Sequence, residues 1–154
     1  MVVGDGGVGK TSLLVTYKYG EFPSPYFLHR IWETVWSHEV TIGDEPNNLN
    51  LHDTLGQEDY DRVRPLQYPK TDVFLICFCV VEPDSFENAR EKWVSEITHF
   101  CPKSPFLLVG TQTDLREKPG IVAELDRKQQ KPLTFENGDK LAGEIKAGEY
   151  MCEG

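Results

Sequence analysis

The sequence predicts an α/β fold, a mostly parallel sheet with one antiparallel hairpin strand, flanked by helices. Three observations carry this. Val73–Val81 and Pro105–Val109 are continuous apolar runs bounded by polar or turn residues, the pattern of strands buried on both faces. Between them, Ser85–Phe100 places Phe86, Ala89, Trp93, Ile97 and Phe100 at spacings of three and four, the apolar stripe of a crossover helix with Asp84 or Ser85 as N-cap. At the start of the chain, Val2-Val3 leads into a glycine-rich turn and then a helix-like stretch from Thr11 to Tyr19. Strands alternating with helices give a parallel sheet wrapped by helices.

The other elements follow in chain order. Val35–Ile42, then Gly43-Asp44-Glu45-Pro46-Asn47, then Leu49-Asn50-Leu51 predicts a hairpin whose second strand runs into Asp53. Arg116–Lys131 is charged and has no strand character, and Thr134–Ala147 predicts another helix. There is no internal repeat and no low-complexity linker.

The composition fits one soluble domain over residues 1–154, 39% hydrophobic and 27% charged, long enough to form its own core. Its 16 Lys and Arg against 25 Asp and Glu give a formal net charge of −9. An acidic chain lacks the basic footprint of a nonspecific nucleic-acid binder and is not drawn to anionic lipid, so nucleic acid is excluded and membrane binding is not expected. The run Val73–Val81 falls far short of the roughly 20 residues of a membrane-spanning helix. Cys77, Cys79, Cys101 and Cys152 lack metal-site spacing and are expected to be reduced thiols of a cytoplasmic protein. No signal peptide or prenylation box is visible, so no prenyl anchor is expected. His29, His38, His52 and His99 show no ligand-like clustering and are expected on the surface or in strands.

Gly4-Asp5-Gly6-Gly7-Val8-Gly9-Lys10-Thr11 matches G-x-x-x-x-G-K-T in the strand–loop–helix context that the motif requires, and it predicts a P-loop nucleotidase fold. Glycines let the backbone wrap a phosphate, so that successive N–H groups and a helix N-terminus face the anion. Lys10 would add a point charge at the β/γ-phosphates, and the Thr11 hydroxyl would be a Mg²⁺ ligand. The plain alternative is a glycine-rich βα turn, and the loop alone does not choose between ATP and GTP. Asp53-Thr54-Leu55-Gly56-Gln57 lies 42 residues after Thr11, at the predicted end of the second hairpin strand. Asp53 is placed beside the metal, the Gly56 N–H within reach of the γ-phosphate, and Gln57 where it can orient the attacking water. Alone, such a D-x-x-G is as often an ordinary turn.

Thr111-Gln112-Thr113-Asp114 follows a predicted strand Phe106–Gly110, at the carboxyl edge of the sheet where open α/β folds place ligands. Asp114 can accept two hydrogen bonds from the N1–H and 2-amino group of guanine, and adenine has no such donor pair. The alternative is a strand-end Asp that caps a helix.

With the three motifs in this order, the chain resembles Ras-like small GTPases and, more narrowly, the Rho family in its cell-division-control branch. The narrowing rests on GQEDYDRVRPLQYPKTDVFLICFCVV, on SFENAREKWVSEITHFCPKSPFLLVGTQTDLRE, and on the charged segment 117–131, which stands where Rho proteins carry an extra insert. The resemblance implies a GDP/GTP switch with Mg²⁺ that hydrolyses GTP, with Lys10 and Gln57 in the chemistry. It further implies a role in Rho-type signalling to the cytoskeleton. The implied partners are exchange factors, GTPase-activating proteins that supply an arginine in trans, and effectors, through Tyr26–Trp36 and Tyr60–Leu66. It also implies that Phe22 packs on the guanine ring, that Gln112 lays its stem along the base, and that Thr54, Thr111 and Leu115 complete the nucleotide contacts.

Four departures from the family pattern stand out. In the effector loop His29 falls where a metal-binding Thr is expected, which makes Thr34 a displaced candidate for the metal. Leu55 replaces Ala, and crowding there is expected to weaken GTP relative to GDP. The chain stops soon after Tyr150-Met151-Cys152, so the last strand and helix are expected to be missing and the domain to be incomplete. Only about three residues of the central strand precede the loop. An exposed sheet face would then make the protein less stable, a monomer or aggregation-prone. Two alternatives follow, a nucleotide-holding decoy that engages partners without switching, and a non-functional truncated product.

Overall fold

In a buried parallel strand successive side chains point to opposite faces, and the fold is organised by that alternation. The computed structural model describes residues 1–24 and 34–152. Strands β1 (Val2–Gly4), β4 (Phe74–Cys79), β5 (Phe106–Thr111) and β6 (Tyr150–Cys152) form a parallel sheet in the order β1-β4-β5-β6. The register aligns Val3, Ile76, Leu108 and Tyr150 in one row across all four strands, and every member is buried. That row is covered by Ala89, Trp93 and Ile97 from one helical run and by Leu141 and Ala142 from α5 (Phe135–Ile145). On the opposite face Val2, Cys77 and Val109 pack with Leu14 of α1 (Lys10–Tyr19) and with Trp36 of β2 (Val35–Ile42). At the sheet edge, Met151 is 41% exposed. Each fully buried large apolar side chain contributes about 1.5–3 kcal/mol, so the clusters on the two sheet faces are a main source of stability.

The covering run begins as α2 (Pro83–Asn88), passes through a π-helical turn over Ala89–Trp93 and continues as α3 (Val94–Phe100). Asp84 and Ser85 are not its cap. The helix starts at Pro83, and Ser85 is buried, accepting from the Cys79 N–H and donating to the Glu82 carbonyl. Within the charged segment, α4 (Pro119–Arg127) forms with a proline in its first turn and buries only Leu125. Thr134 caps α5 through a reciprocal pair of bonds with Asn137.

The expected hairpin is present, and one expectation needs correction, that of a missing last strand. Strands β2 (Val35–Ile42) and β3 (Glu45–His52) form the hairpin around Gly43-Asp44, with Gly43 at φ +64°, but as a separate two-stranded sheet. On its side of β1 the Val2 carbonyl is taken by the Thr54 hydroxyl at 2.7 Å, in place of a backbone ladder. The last strand is present. β6 pairs with β5 through Leu108↔Tyr150, Val109↔Met151 and Gly110↔Cys152, because Tyr150 has a seat. Its ring stacks on Phe78, leans on Phe135, and occupies space that a side chain on Gly138 would fill. Among the described residues, no helix follows α5 and none is long and apolar enough to cross a membrane. All four cysteines are free, and burial pushes the Cys77 thiol up to about 12.

Candidate functional site

The first βα turn is shaped by its glycines. Gly4 at φ +144° leaves β1 so close to β4 that a Cβ would lie 2.3 Å from the Cys77 carbonyl oxygen, and only glycine fits. Gly7 and Gly9 take φ +83° and +94°, and Gly9 is the N-cap of α1. The loop backbone thus turns into a helix N-terminus, the arrangement that receives anions. Lys10 is 6% exposed, and its ammonium donates to the carbonyls of Gly4 at 2.9 Å and Asp5 at 2.6 Å. Burial lowers its pKa, with the Asp53 carboxylate opposing that shift.

Thr11 and Asp53 meet across the site, Thr11 Oγ1 donating to Asp53 Oδ2 at 2.5 Å. The other carboxylate oxygen accepts from the Thr54 N–H at 3.1 Å. Burial raises the Asp53 carboxyl, against the Thr11 hydrogen bond and the Lys10 charge. Gly56 is packed into the phosphate loop itself, since a Cβ there would lie 2.3 Å from the Gly4 oxygen and 2.6 Å from the Gly6 nitrogen. Gln57 follows at the surface, its Cγ 3.7 Å from where a Gly6 Cβ would stand. The two motifs that are far apart in sequence are therefore in backbone contact, and Asp5, Gly6, Gly56 and Gln57 line one cleft of about 250 Å³ with Asn88 and Lys92. Leu55 turns its side chain outward, 48% exposed.

The third motif is tied to the same loop. Thr111 Oγ1 donates to the Val8 carbonyl at 2.5 Å, and Gln112, at φ +59°, donates from Nε2 to the Gly7 carbonyl at 2.9 Å. Asp114 is exposed beside Leu115, and it pairs with Lys118, four residues on, at 3.4 Å. Phe22 is 76% exposed on the segment after α1. Thr34 is exposed, and its carbonyl accepts the Asp53 N–H at 2.8 Å, which sets it beside the metal candidates. His29 and most of the Tyr26–Trp36 stretch lie outside the described residues, while Trp36 itself is buried.

Sequence reasoning missed the residues that brace this site. Asp5 accepts from Asn88 Nδ2 and from Trp93 Nε1, both at 2.7 Å, so its carboxylate faces the helical run. Arg64, 2% exposed, lies with its guanidinium 4.5 Å from the Trp93 ring centroid and donates to the carbonyls of Leu55 at 2.7 Å and Gln57 at 3.0 Å. Its charge is met by Asp61 at 2.7 Å and Glu96 at 3.1 Å, and Glu96 also accepts from the Tyr68 hydroxyl. Asn88 and Trp93 are five apart, a spacing that a π turn lines up and a 3.6-residue period does not, so helical reading leaves Trp93 a core residue only.

A glycine-rich loop with a buried lysine, the Asp53 carboxylate and the D-x-x-G glycine come together in one candidate site. A family model described as Ras family matches residues 1–152. The chain belongs to the Ras family. It is accordingly a GTP-binding small GTPase, of a family that binds GTP and GDP and typically Mg²⁺. The donor set fits that metal. Mg²⁺ keeps several waters and takes one or two protein oxygens plus phosphate, so Thr11 and Asp53 suffice, and among the described residues no cluster of three or more His, Cys, Asp or Glu competes for it.

Proposed function

We propose that this Ras-family chain is a Rho-type switch that binds guanine nucleotide with Mg²⁺ and hydrolyses GTP to GDP and phosphate. The observation that carries the reading is the packing of Gly56 into the phosphate loop with Gln57 beside Gly6, because it sets the water-orienting amide next to the turn that cradles the phosphates. In this reading the loop N–H groups from Asp5 to Lys10, the α1 N-terminus and the Lys10 ammonium hold the phosphates. Thr11 and Asp53 hold Mg²⁺, which supplies charge neutralisation at the β/γ-phosphate oxygens when bound. Gln57 orients water. Asp114 reads guanine, with Phe22, Gln112 and Leu115 along the base, Thr111 holding the loop, and Thr34 as the further metal ligand.

The Rho assignment rests on the quoted sequence stretches and is supported by the helix α4, which stands largely exposed within residues 117–131. Exchange factors, activating proteins and effectors would meet the surface Tyr60–Leu66, where Tyr60, Val63 and Leu66 are exposed, in a cytoplasmic protein signalling to the cytoskeleton. The test is to identify the nucleotide that co-purifies and to follow phosphate release with and without Mg²⁺. Bound GDP with Mg²⁺-dependent turnover is the expected result. Bound GDP without turnover points to a partner-binding decoy, and no nucleotide to a non-functional product.

A further inference from the structure

We propose that Trp93 is a positioning residue for GTP hydrolysis, a rigid link that fixes the Gln57 backbone relative to the phosphate loop. The proposal rests on the reading above, and its basis is a continuous chain of contacts. Asp5, inside the loop, accepts from the Trp93 indole N–H at 2.7 Å. The same indole carries the Arg64 guanidinium on its face at 4.5 Å. Arg64 in turn donates to the carbonyls on either side of Gly56, those of Leu55 and Gln57.

Each joint is stiff for a physical reason. Trp93 is fully buried, so its ring has no alternative rotamer space. A buried arginine must satisfy its donors, and Arg64 does so with two backbone carbonyls and with Asp61 and Glu96. The carboxylate of Asp5 has both oxygens engaged, one by Trp93 and one by Asn88. The π turn over Ala89–Trp93 brings both donors to the loop. A water-orienting amide is useful only within a fraction of an ångström of its working place, and misplacement by about 1 Å can cost about 100-fold in rate. Trp93 supplies that tolerance through its contacts with Asp5 and Arg64.

The discriminating variant is Trp93→Phe, which keeps a ring face for Arg64 but removes the N–H that reaches Asp5. Single-turnover phosphate release should slow by about tenfold while GDP affinity stays within about twofold. Amide hydrogen exchange across residues 55–60, which Trp93 does not itself bond, should rise. In an Asp5→Ala background, which already lacks the Trp93–Asp5 bond along with the Asn88 one, Trp93→Phe should have no further effect. An unchanged rate and unchanged exchange in Trp93→Phe would overturn the proposal, as would two independent, multiplying effects in the cycle. If Trp93→Phe melts below the assay temperature, Asp5→Ala decides by the same exchange readout. If the wild-type protein binds GDP but never releases phosphate, the hydrolysis reading fails, and exchange at 55–60 alone then decides whether the link holds the segment.

Discussion

The Thr11 hydroxyl and the Asp53 carboxylate are joined by a 2.5 Å hydrogen bond. Thr11 is the second residue of α1 and Asp53 directly follows β3, so their meeting point is where a helix start and a strand end converge beside the phosphate loop. In the proposed reading each supplies one oxygen to a divalent cation, from two different elements.

Replacing Thr11 by Ala should therefore show itself as a metal phenotype. Loss of one oxygen donor is expected to raise the Mg²⁺ concentration that half-protects bound GDP from release by about tenfold or more. Release of a fluorescent GDP analogue, titrated with Mg²⁺, measures it. A lowered melting point with an unchanged Mg²⁺ midpoint would reduce Thr11 to a structural role.

Asp53 predicts a pH effect with a definite sign. Burial raises its folded-state pKa above the ordinary value, so the ionised carboxylate costs stability in the nucleotide-free protein once the pH exceeds that raised pKa. Asp53→Asn should then melt higher than wild type at neutral pH without nucleotide. The difference should shrink as pH falls through the raised pKa and vanish below the ordinary carboxylate range, where the group is neutral folded and unfolded alike. With GDP and Mg²⁺ the order should reverse, because the variant loses a charged metal partner. Thermal melts across pH, with and without Mg²⁺-GDP, test both halves.

These two residues were legible in the sequence because each sits in a motif whose spacing is set by phosphate and metal chemistry. The strands β4 and β5 were legible because burial on both faces leaves a continuous apolar run. Arg64 and Trp93 were not. A buried arginine has no sequence signature, since a charged residue reads as surface until its partners are known. Trp93 reads as core from its helical spacing, and only the π turn reveals its indole N–H at Asp5. Pairing at the sheet edge is not legible for a similar reason, because three residues are too few to show a strand pattern and Tyr150 depends on tertiary packing.

Two glycines of the site should respond in opposite ways. At Gly56 a Cβ would collide with the backbone of Gly4, Asp5 and Gly6, so Gly56→Ala must push the two loops apart. A cost of about 1–3 kcal/mol is expected, or about 2–4 °C of melting temperature per kcal/mol at this chain length, with strongly reduced hydrolysis. At Gly6 the Cβ would make an ordinary contact with Gln57, so Gly6→Ala should melt within about 2 °C of wild type. Gly6→Val carries its extra methyls toward Gln57 and should slow phosphate release more than tenfold with little loss of stability. Equal melting points for Gly56→Ala and wild type would mean that the loops are not in contact.

Tyr150 tests whether the sheet is closed by its last strand. Its ring is 8% exposed, stacks 6.2 Å from Phe78 and sits 5.1 Å from Phe135. Gly138 makes room for it, since a Cβ there would lie 2.1 Å from the Tyr150 ring. The hydroxyl lies 3.0 Å from Cys152 Sγ, and burial together with that neighbour raises its pKa, so the phenol stays neutral across the working range. Removing a buried aromatic costs about 3–5 kcal/mol, so Tyr150→Ala should lower the melting temperature by about 6–20 °C and expose β5. Tyr150→Phe keeps the ring and should cost about 1 kcal/mol or less, the value of one hydrogen bond. Gly138→Ala should approach the loss seen in Tyr150→Ala, because its methyl takes the space of the ring. If all three variants melt with wild type, β6 contributes nothing to the fold, and the sheet ends at β5.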